Sequence, residues 1–449
     1  MCGPCSLGAH RFSAARIQRV AESGGRRPRP RVASLTPYLS QWRWTLTSAS
    51  GESWGRLART IASGPEEALR YLMLRIIHTA DVHLGARHDD LGEVAAAQRE
   101  RQFAAFKAAV DLALAEKVDL FLVAGDLFDS NVQPRRSVER VVAELARLAG
   151  ARIRTVIIPG THDVYDRASI YRAYDLSAMA GSGPDDEMVT VLNPSQPSVH
   201  LTALDALVSG TVFDTKRAPF SPLGGAAAVE GEPASWRIGM VHGSIAIPGK
   251  TDRDEVVITT DEIAASGLDY LALGHWHSAQ TGTAGSVTYA YAGAPEAVAL
   301  DQDRAGKVLL VELEERAGKR SVTVQERQVG QTKFAKQEID AAEIASQPAL
   351  VDLLAAQADP DLVLDARLVG VRSDELDLDL AEIETALGPS FLKVRVRDVS
   401  IPALTAGPLP PEDTIAGSFI RDLEWRIAEL EATGSGTEAA ETRDALRLG

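Results

Sequence analysis

"VIIPGTHDVYD", residues 156–166, runs from an apolar stretch, Val156 to Ile158, through Pro159-Gly160 into Thr161, His162 and Asp163. An apolar run closed by Pro-Gly reads as a buried strand that ends in a tight loop. The loop holds an imidazole and a carboxylate, side chains suited to proton transfer and metal ligation near neutral pH. Thr161 is the odd member, because a metal site favours an amide or a carboxylate in that place.

The same pattern recurs on either side. "HTADVHLG" (78–85) gives Asp81 and His83, and "VAGDLFDS" (123–130) gives Asp126. "MVHGS" (240–244) gives His242, and "ALGHWHS" (272–278) gives His275 and His277. Each follows an apolar strand. Between the strands lie helical patterns: 95–117, with Phe103, Phe106, Val110 and Leu114 on one face, and 136–148, with Val138, Val141, Val142, Leu145 and Leu148. Later come paired strands, "KVLLVELEE" and "RSVTVQERQV". Strands alternating with helices predict a layered α/β domain that ends near residue 330. Strand ends converge at the carboxyl edge of such a sheet, where sites form.

Taken singly, each residue has a plainer role. A histidine at a strand end is more often structural than a ligand. Asp129 braces its loop, Trp276 packs as an aromatic, and Arg87 and His88 read as a solvated face. The ordered set D-x-H, G-D-x-x-D, G-x-H-D, H-G and G-H-x-H is different, because five such coincidences do not arise independently. Carboxylate and imidazole ligands suit Mn, Fe or Zn. A carboxylate such as Asp126 can bridge two ions roughly 3.5–4 Å apart, which clamp an in-line phosphoryl displacement.

Bulk properties set the frame. The chain has 449 residues, 45% of them hydrophobic, and no uncharged apolar run reaches the roughly 18 residues of a membrane span. Both cysteines, Cys2 and Cys5, lie at the N-terminus, so no disulfide framework or cysteine metal site is expected in the body, which suits a reducing cytoplasm. Residues 1–72 hold 11 Arg, no Lys and 4 Glu, a net +7. The whole chain is −15, which leaves −22 on residues 73–449. That acidic body argues against a broad non-specific DNA surface acting alone, although metal ions supply local positive charge.

Four segments follow. Residues 1–72 read as a basic extension without periodicity, open to being a nucleic-acid arm or a targeting segment, with a disordered or non-native stretch as the leading reading. Residues 73–330 form the layered domain. Residues 331–402 form a small α/β unit, with "AAEIASQPALVDLLAAQ" and "DLAEIETAL" as helices and "DLVLDARLVGV" and "FLKVRVRDV" as strands. Residues 403–449 hold a Pro-rich linker, a helix at about 412–432 and a mobile tail. That helix carries the stripe Ile420, Leu423, Ile427 and Leu430, which packs either on its own chain or on another.

With these motifs in place, residues 74–312 resemble a calcineurin-like metallophosphoesterase domain. Their order is similar to the nuclease subunit of the SbcC–SbcD type. "HTADVHLG", "AGDLFDS", "LDYLALGHWH" and "YAGAPEAVALDQDRAGKVLLVEL" carry the likeness. The resemblance implies two divalent ions, Mn²⁺ first, with Fe, Mg or Zn as alternatives. It implies one ion on Asp81, His83, Asp126 and His277, and the other on Asp126, His242 and His275. An Asn completes the second set in that family, and Thr161 stands there in this chain. His162, oriented by Asp163, would stabilise the transition state or protonate the leaving oxygen. The small domain would cap DNA, and the last helix would hold an ATPase.

The leading expectation is therefore a metal-dependent DNA exo/endonuclease subunit in DNA-end processing. The partners expected are DNA, a coiled-coil ATPase of the SbcC type and a second copy of the chain, with no membrane. The rivals are a phosphodiesterase for nucleotides or other small phosphoesters, and a degenerate member that binds DNA or a partner without turnover.

Overall fold

The computed structural model describes residues 73–442, except 184–185, 187, 217–220, 224–233, 248–255, 298–301, 303, 317, 374, 404–410, 434–437 and 439–440. The expectations for residues 1–72 and for most of the Pro-rich linker lie outside the described residues.

The larger domain is built on two six-stranded sheets. Its strands are β1 Met73–Thr79, β2 Leu120–Ala124, β3 Arg154–Ile158, β4 Val189–Val191, β5 Ser198–Leu201, β6 Ala206–Ser209 and β7 Trp236–His242. The short β8 Ser244–Ile245 and β9 Val257–Ile258 follow, then β10 Tyr270–Gly274, β11 Gln280–Ala284, β12 Val287–Tyr291, β13 Lys307–Arg316 and β14 Lys319–Gln328. The first sheet runs β14-β13-β1-β2-β3-β4, and the second runs β11-β12-β10-β7-β6-β5. Strands β1 to β4 are mutually parallel, as are β6, β7, β10 and β12.

Side chains alternate across each strand, so one sequence feeds two cores. In β2, Leu120, Leu122 and Ala124 face the second sheet, where Ile238, Met240, Tyr270 and Ala272 meet them. Phe121 and Val123 face the other way, onto the helices α1 Ala95–Glu116 and α2 Arg135–Gly150. Both faces of the central strands are buried, which explains their near-continuous apolar runs. The outer face of the second sheet has its own core around Leu271, Leu273, Val287 and Tyr291. Short helices α3 Ile170–Ala173, α4 Leu176–Met179 and α5 Thr260–Ala265 fill the connections.

The small domain has a three-stranded parallel sheet, β15 Lys333–Asp340, β16 Asp359–Val369 and β18 Phe391–Asp398, in the order β15-β16-β18. Between β16 and β18 lie the short β17 Val371–Arg372, which pairs with β19 Ile401–Pro402, and helix α7 Leu380–Leu387; helix α6 Gln347–Ala355 precedes β16. The helix expected from residue 341 begins only at Gln347. Ser346 caps it through its hydroxyl, and Pro348 sits in its first turn, where its missing N–H costs nothing. The core of this domain is separate, with Leu350, Leu364, Leu368, Ile383 and Val394. Buried Glu296 accepts hydrogen bonds from the backbone N–H groups of Gln331 and Thr332 and so fixes the entry to the domain.

The last helix, α8 Ile415–Ala432, starts at the Thr414 cap. Of the expected stripe, Ile420 and Ile427 are buried, while Leu423 and Leu430 are half-buried. Ile415, Phe419 and Trp425 are 92%, 47% and 65% exposed. No helix among the described residues is long and apolar enough to cross a membrane.

Candidate metal centre

Five strands, β1, β2 and β3 from one sheet and β7 and β10 from the other, deliver their C-terminal ends to one rim. The chain turns abruptly there. Asp81, His83, Asp126 and His275 all have positive φ, at 50°, 49°, 50° and 102°. Left-handed backbone costs an ordinary residue roughly 1–3 kcal/mol and persists only where its surroundings enforce it. Hydrogen bonds between the first two loops do so: Asp81 N–H to Gly125 O at 3.1 Å, and His83 N–H to Asp126 O at 3.0 Å. Gly125 has to be glycine, because its φ is +93° and a Cβ would lie 2.1 Å from His242 Nδ1. A Cβ on Gly160 would lie 2.2 Å from Asp126 Oδ1, so the opening loop can close on Asp126 only through glycine.

The side chains converge. Asp81, His83 and His277 each offer one ligand atom within 4.8 Å of the others, and so do Asp81, Asp126 and His242. The Nε2 atoms of His83 and His277 stand 3.1 Å apart. His242 Nε2 lies 3.0 Å from Asp126 Oδ2, while its Nδ1 donates to Ala124 O. Three imidazoles and two carboxylates within this span are a donor set for borderline divalent cations, and they fit a pair of ions sharing a carboxylate.

Two expected residues stand at the margin. His275 donates its backbone N–H to both oxygens of Asp81, at 2.9 and 3.1 Å, and its ring centroid lies 5.4 Å from that of His242. The Thr161 hydroxyl lies 3.4 Å from Asp126 Oδ2 and donates to it.

The local field is strong. Burial pushes the Asp81 carboxyl up to about 6, against the pull of His242. Burial would raise Asp126 too, but the charges of His242 and His83 hold it well below the carboxylate range. His242 is buried, yet Asp126 and Asp81 raise it to about 10. Burial and the neighbouring His83 lower His277 to about 3, which keeps its ring neutral.

This ordered rim is matched by a family model, calcineurin-like phosphoesterase, over residues 74–279. Residues 74–279 are a calcineurin-like phosphoesterase domain. Among curated relatives, a DNA double-strand break repair protein Mre11 of Aeropyrum pernix is 27% identical over 249 residues, 54% of this chain and 58% of that protein. The uncharacterised metallophosphoesterase YhaO of Bacillus subtilis is 26% identical over 233 residues, 50% and 53% of the two chains. One subunit of the SbcCD nuclease of Rhodobacter capsulatus is 37% identical over 100 residues, 21% and 22%. The matched region thus spans about half the length of the first two.

The phosphoesterase domain differs from expectation in its supporting residues. Asp163 does not meet the His162 ring. Its carboxylate accepts from Gly160 N–H at 2.7 Å, Phe128 N–H at 3.1 Å and the Tyr171 hydroxyl, which makes it the buried brace of the loop. Neighbours in a tight loop point to opposite sides, so adjacency in sequence did not become contact. Asp129 takes the orienting position instead. His162 Nδ1 lies 3.0 Å from its backbone carbonyl, and His83 Nδ1 lies 3.2 Å from its carboxylate. Gln302 also went unrecognised; its amide meets His277 Nδ1. Trp276 stacks on Tyr291 at 4.5 Å and donates to Ser244 Oγ, as a packed aromatic should. Arg87 is exposed, but His88, expected on a solvated face, is buried, with left-handed backbone at the start of a 3-10 turn over Asp89–Val94 and no side-chain capping bond.

Proposed function

We propose that this chain is a two-metal phosphodiesterase that cuts DNA ends, working in the cytoplasm with Mn²⁺ and a coiled-coil ATPase of the SbcC type. The observation that carries the reading is the convergence of Asp81, His83, Asp126, His242 and His277 at the rim. The similarity to a double-strand break repair protein and to a nuclease subunit supports DNA as the substrate. In this reading Asp81, His83, Asp126 and His277 hold one ion. Asp126, His242 and His275 hold the other, and Thr161 stands beside them. Such ions supply Lewis acidity and positive charge at the phosphate.

The chain's own groups do the rest. His162 is exposed toward solvent, and its Nδ1 donates to Asp129 O. Its Nε2 therefore faces the substrate side: in the neutral ring it accepts a proton, and only in the imidazolium form does it carry one to give to a leaving oxygen. Asp163 keeps the loop closed on Asp126. The domain at 331–402 caps the DNA, and α8 offers Ile415, Phe419 and Trp425 to the partner.

The test is cleavage of linear and hairpin DNA with Mn²⁺, with and without the ATPase, beside a small phosphodiester. Cleavage should vanish on chelation and in Asp126→Ala, which removes a ligand from both ions. Turnover of the small ester with intact DNA would replace this reading by a small-substrate phosphodiesterase. DNA binding without any turnover would replace it by a non-catalytic binder.

A further inference from the structure

Away from the metal ligands, the edge of the first sheet bears a cleft of about 600 Å³. Its lining includes Tyr165, Arg172, Tyr174, Asn193 and Gln196, with edge strand β4 behind them. Tyr165 follows His162 by three residues. The Arg172 guanidinium lies 4.3 Å from the centre of the Tyr165 ring. Asn193 frames the turn: its Oδ1 accepts from the N–H groups of Ser195 and Gln196. Gln196 is left exposed at the mouth.

The sheet register fixes where this cleft lies. Thr79 pairs with Val123, Ala124 with Ile158, and Ile157 with Val191, all parallel. Extending these pairings by one or two residues sets Asp81, Gly125, Pro159 and Asn193 on one row. Strands stand about 4.8 Å apart, so Asn193 is roughly 10 Å from Gly125, the neighbour of Asp126. A stacked strand rises about 3.4 Å per nucleotide and an unstacked one up to about twice that, which makes the distance about one to three nucleotides.

We propose that this cleft holds one unstacked base of the DNA strand being cut, about one to three nucleotides from the scissile phosphate. The inference rests on the nuclease reading above. The Arg172 guanidinium lies over the Tyr165 ring and is itself exposed, so a base stacks on the guanidinium plane backed by the tyrosine, and the exposed Gln196 amide reads a base edge. A base inside a duplex cannot enter, so the cleft selects a single-stranded or frayed end.

The experiment uses the full chain with Mn²⁺ and single-stranded oligonucleotides, each with one abasic position stepped along the strand. Tyr165 packs against two cores, so the variant is the exposed pair Arg172→Ala/Gln196→Ala, checked for unchanged melting. In wild type, one abasic position about one to three nucleotides from the cut should raise KM roughly 10-fold. The double variant should show a similar rise on intact strands and no further response to that position. Both proteins should hydrolyse bis-p-nitrophenyl phosphate equally. A flat abasic scan, or a variant as sensitive as wild type, overturns the cleft assignment while cleavage persists. Hydrolysis of the small ester with no DNA cleavage removes the nuclease reading itself, and this inference with it.

Discussion

The carboxylate of Asp129 lies 3.2 Å from Nδ1 of His83, on the side of the ring that faces away from Nε2 and the other ligands. The same residue's main-chain carbonyl meets His162 at 3.0 Å. Side chain and backbone thus serve two different histidines. Asp129→Ala should therefore weaken metal binding about 10–100-fold, the usual effect of losing such an outer partner. The rate at saturating metal should stay near wild type, because the carbonyl remains. Calorimetric metal titration and saturation kinetics together check this; an equal loss in both would place the side chain in the chemistry.

Thr161 donates to the Asp126 carboxylate and supplies no amide oxygen. Thr161→Asn should lower the Mn²⁺ concentration needed for half-maximal cleavage by about 10-fold, at the low end of what a single ligand-shell change does. Superimposable metal titrations would mean that position 161 acts only by bracing Asp126.

Helix α8 exposes Ile415 and Phe419 while burying Ile420 and Ile427. Ile415→Glu/Phe419→Glu should cut association with the coiled-coil ATPase by at least about 10-fold, since buried charge at an apolar contact is heavily penalised. Melting and cleavage by the subunit alone should not move. An intact complex in a pull-down would assign the partner site elsewhere.

His78 lies in β1, fully buried, with Nδ1 2.8 Å from the Tyr270 hydroxyl. Burial lowers it from 6.5 to about 3. The unfolded chain takes up a proton below about pH 6.5 that the native state refuses, so stability falls as pH drops from about 6.5 toward 3 and is untouched above. The slope is at most about 1.4 kcal/mol per pH unit. His78→Gln should remove that part of the acid sensitivity, read as urea midpoints at pH 7.5, 6 and 5. Parallel pH profiles for the two proteins would show that His78 is protonated in place.

The strand–loop units were readable because each is local: an apolar run, a glycine and a ligand within ten residues. The fold followed from their alternation with α1 and α2. β15 was missed because "KFAKQEID" is a largely exposed edge strand with little apolar signal. The contact of Gln302 with His277 spans 25 residues and leaves no local pattern. Asp163 misled because proximity in sequence says nothing about which side of a turn a carboxylate occupies. The D-x-x-D spacing made Asp129 visible, but only the folded rim shows which histidines it serves.

The candidate ligands of the rim come from two sheets that share one core. Ile76, Leu122 and Ile158 on one side meet Ile238, Met240 and Tyr270 on the other. That core is therefore a gauge block: its thickness sets the gap between Asp81, His83 and Asp126 on one jaw and His242 and His277 on the opposite jaw. A side chain trimmed there lets the jaws close or skew by tenths of an ångström, because close-packed interiors pass on small volume changes. Under the two-ion proposal, ion selectivity would depend on residues that touch no ion, and it should drift under core substitutions too mild to unfold the domain.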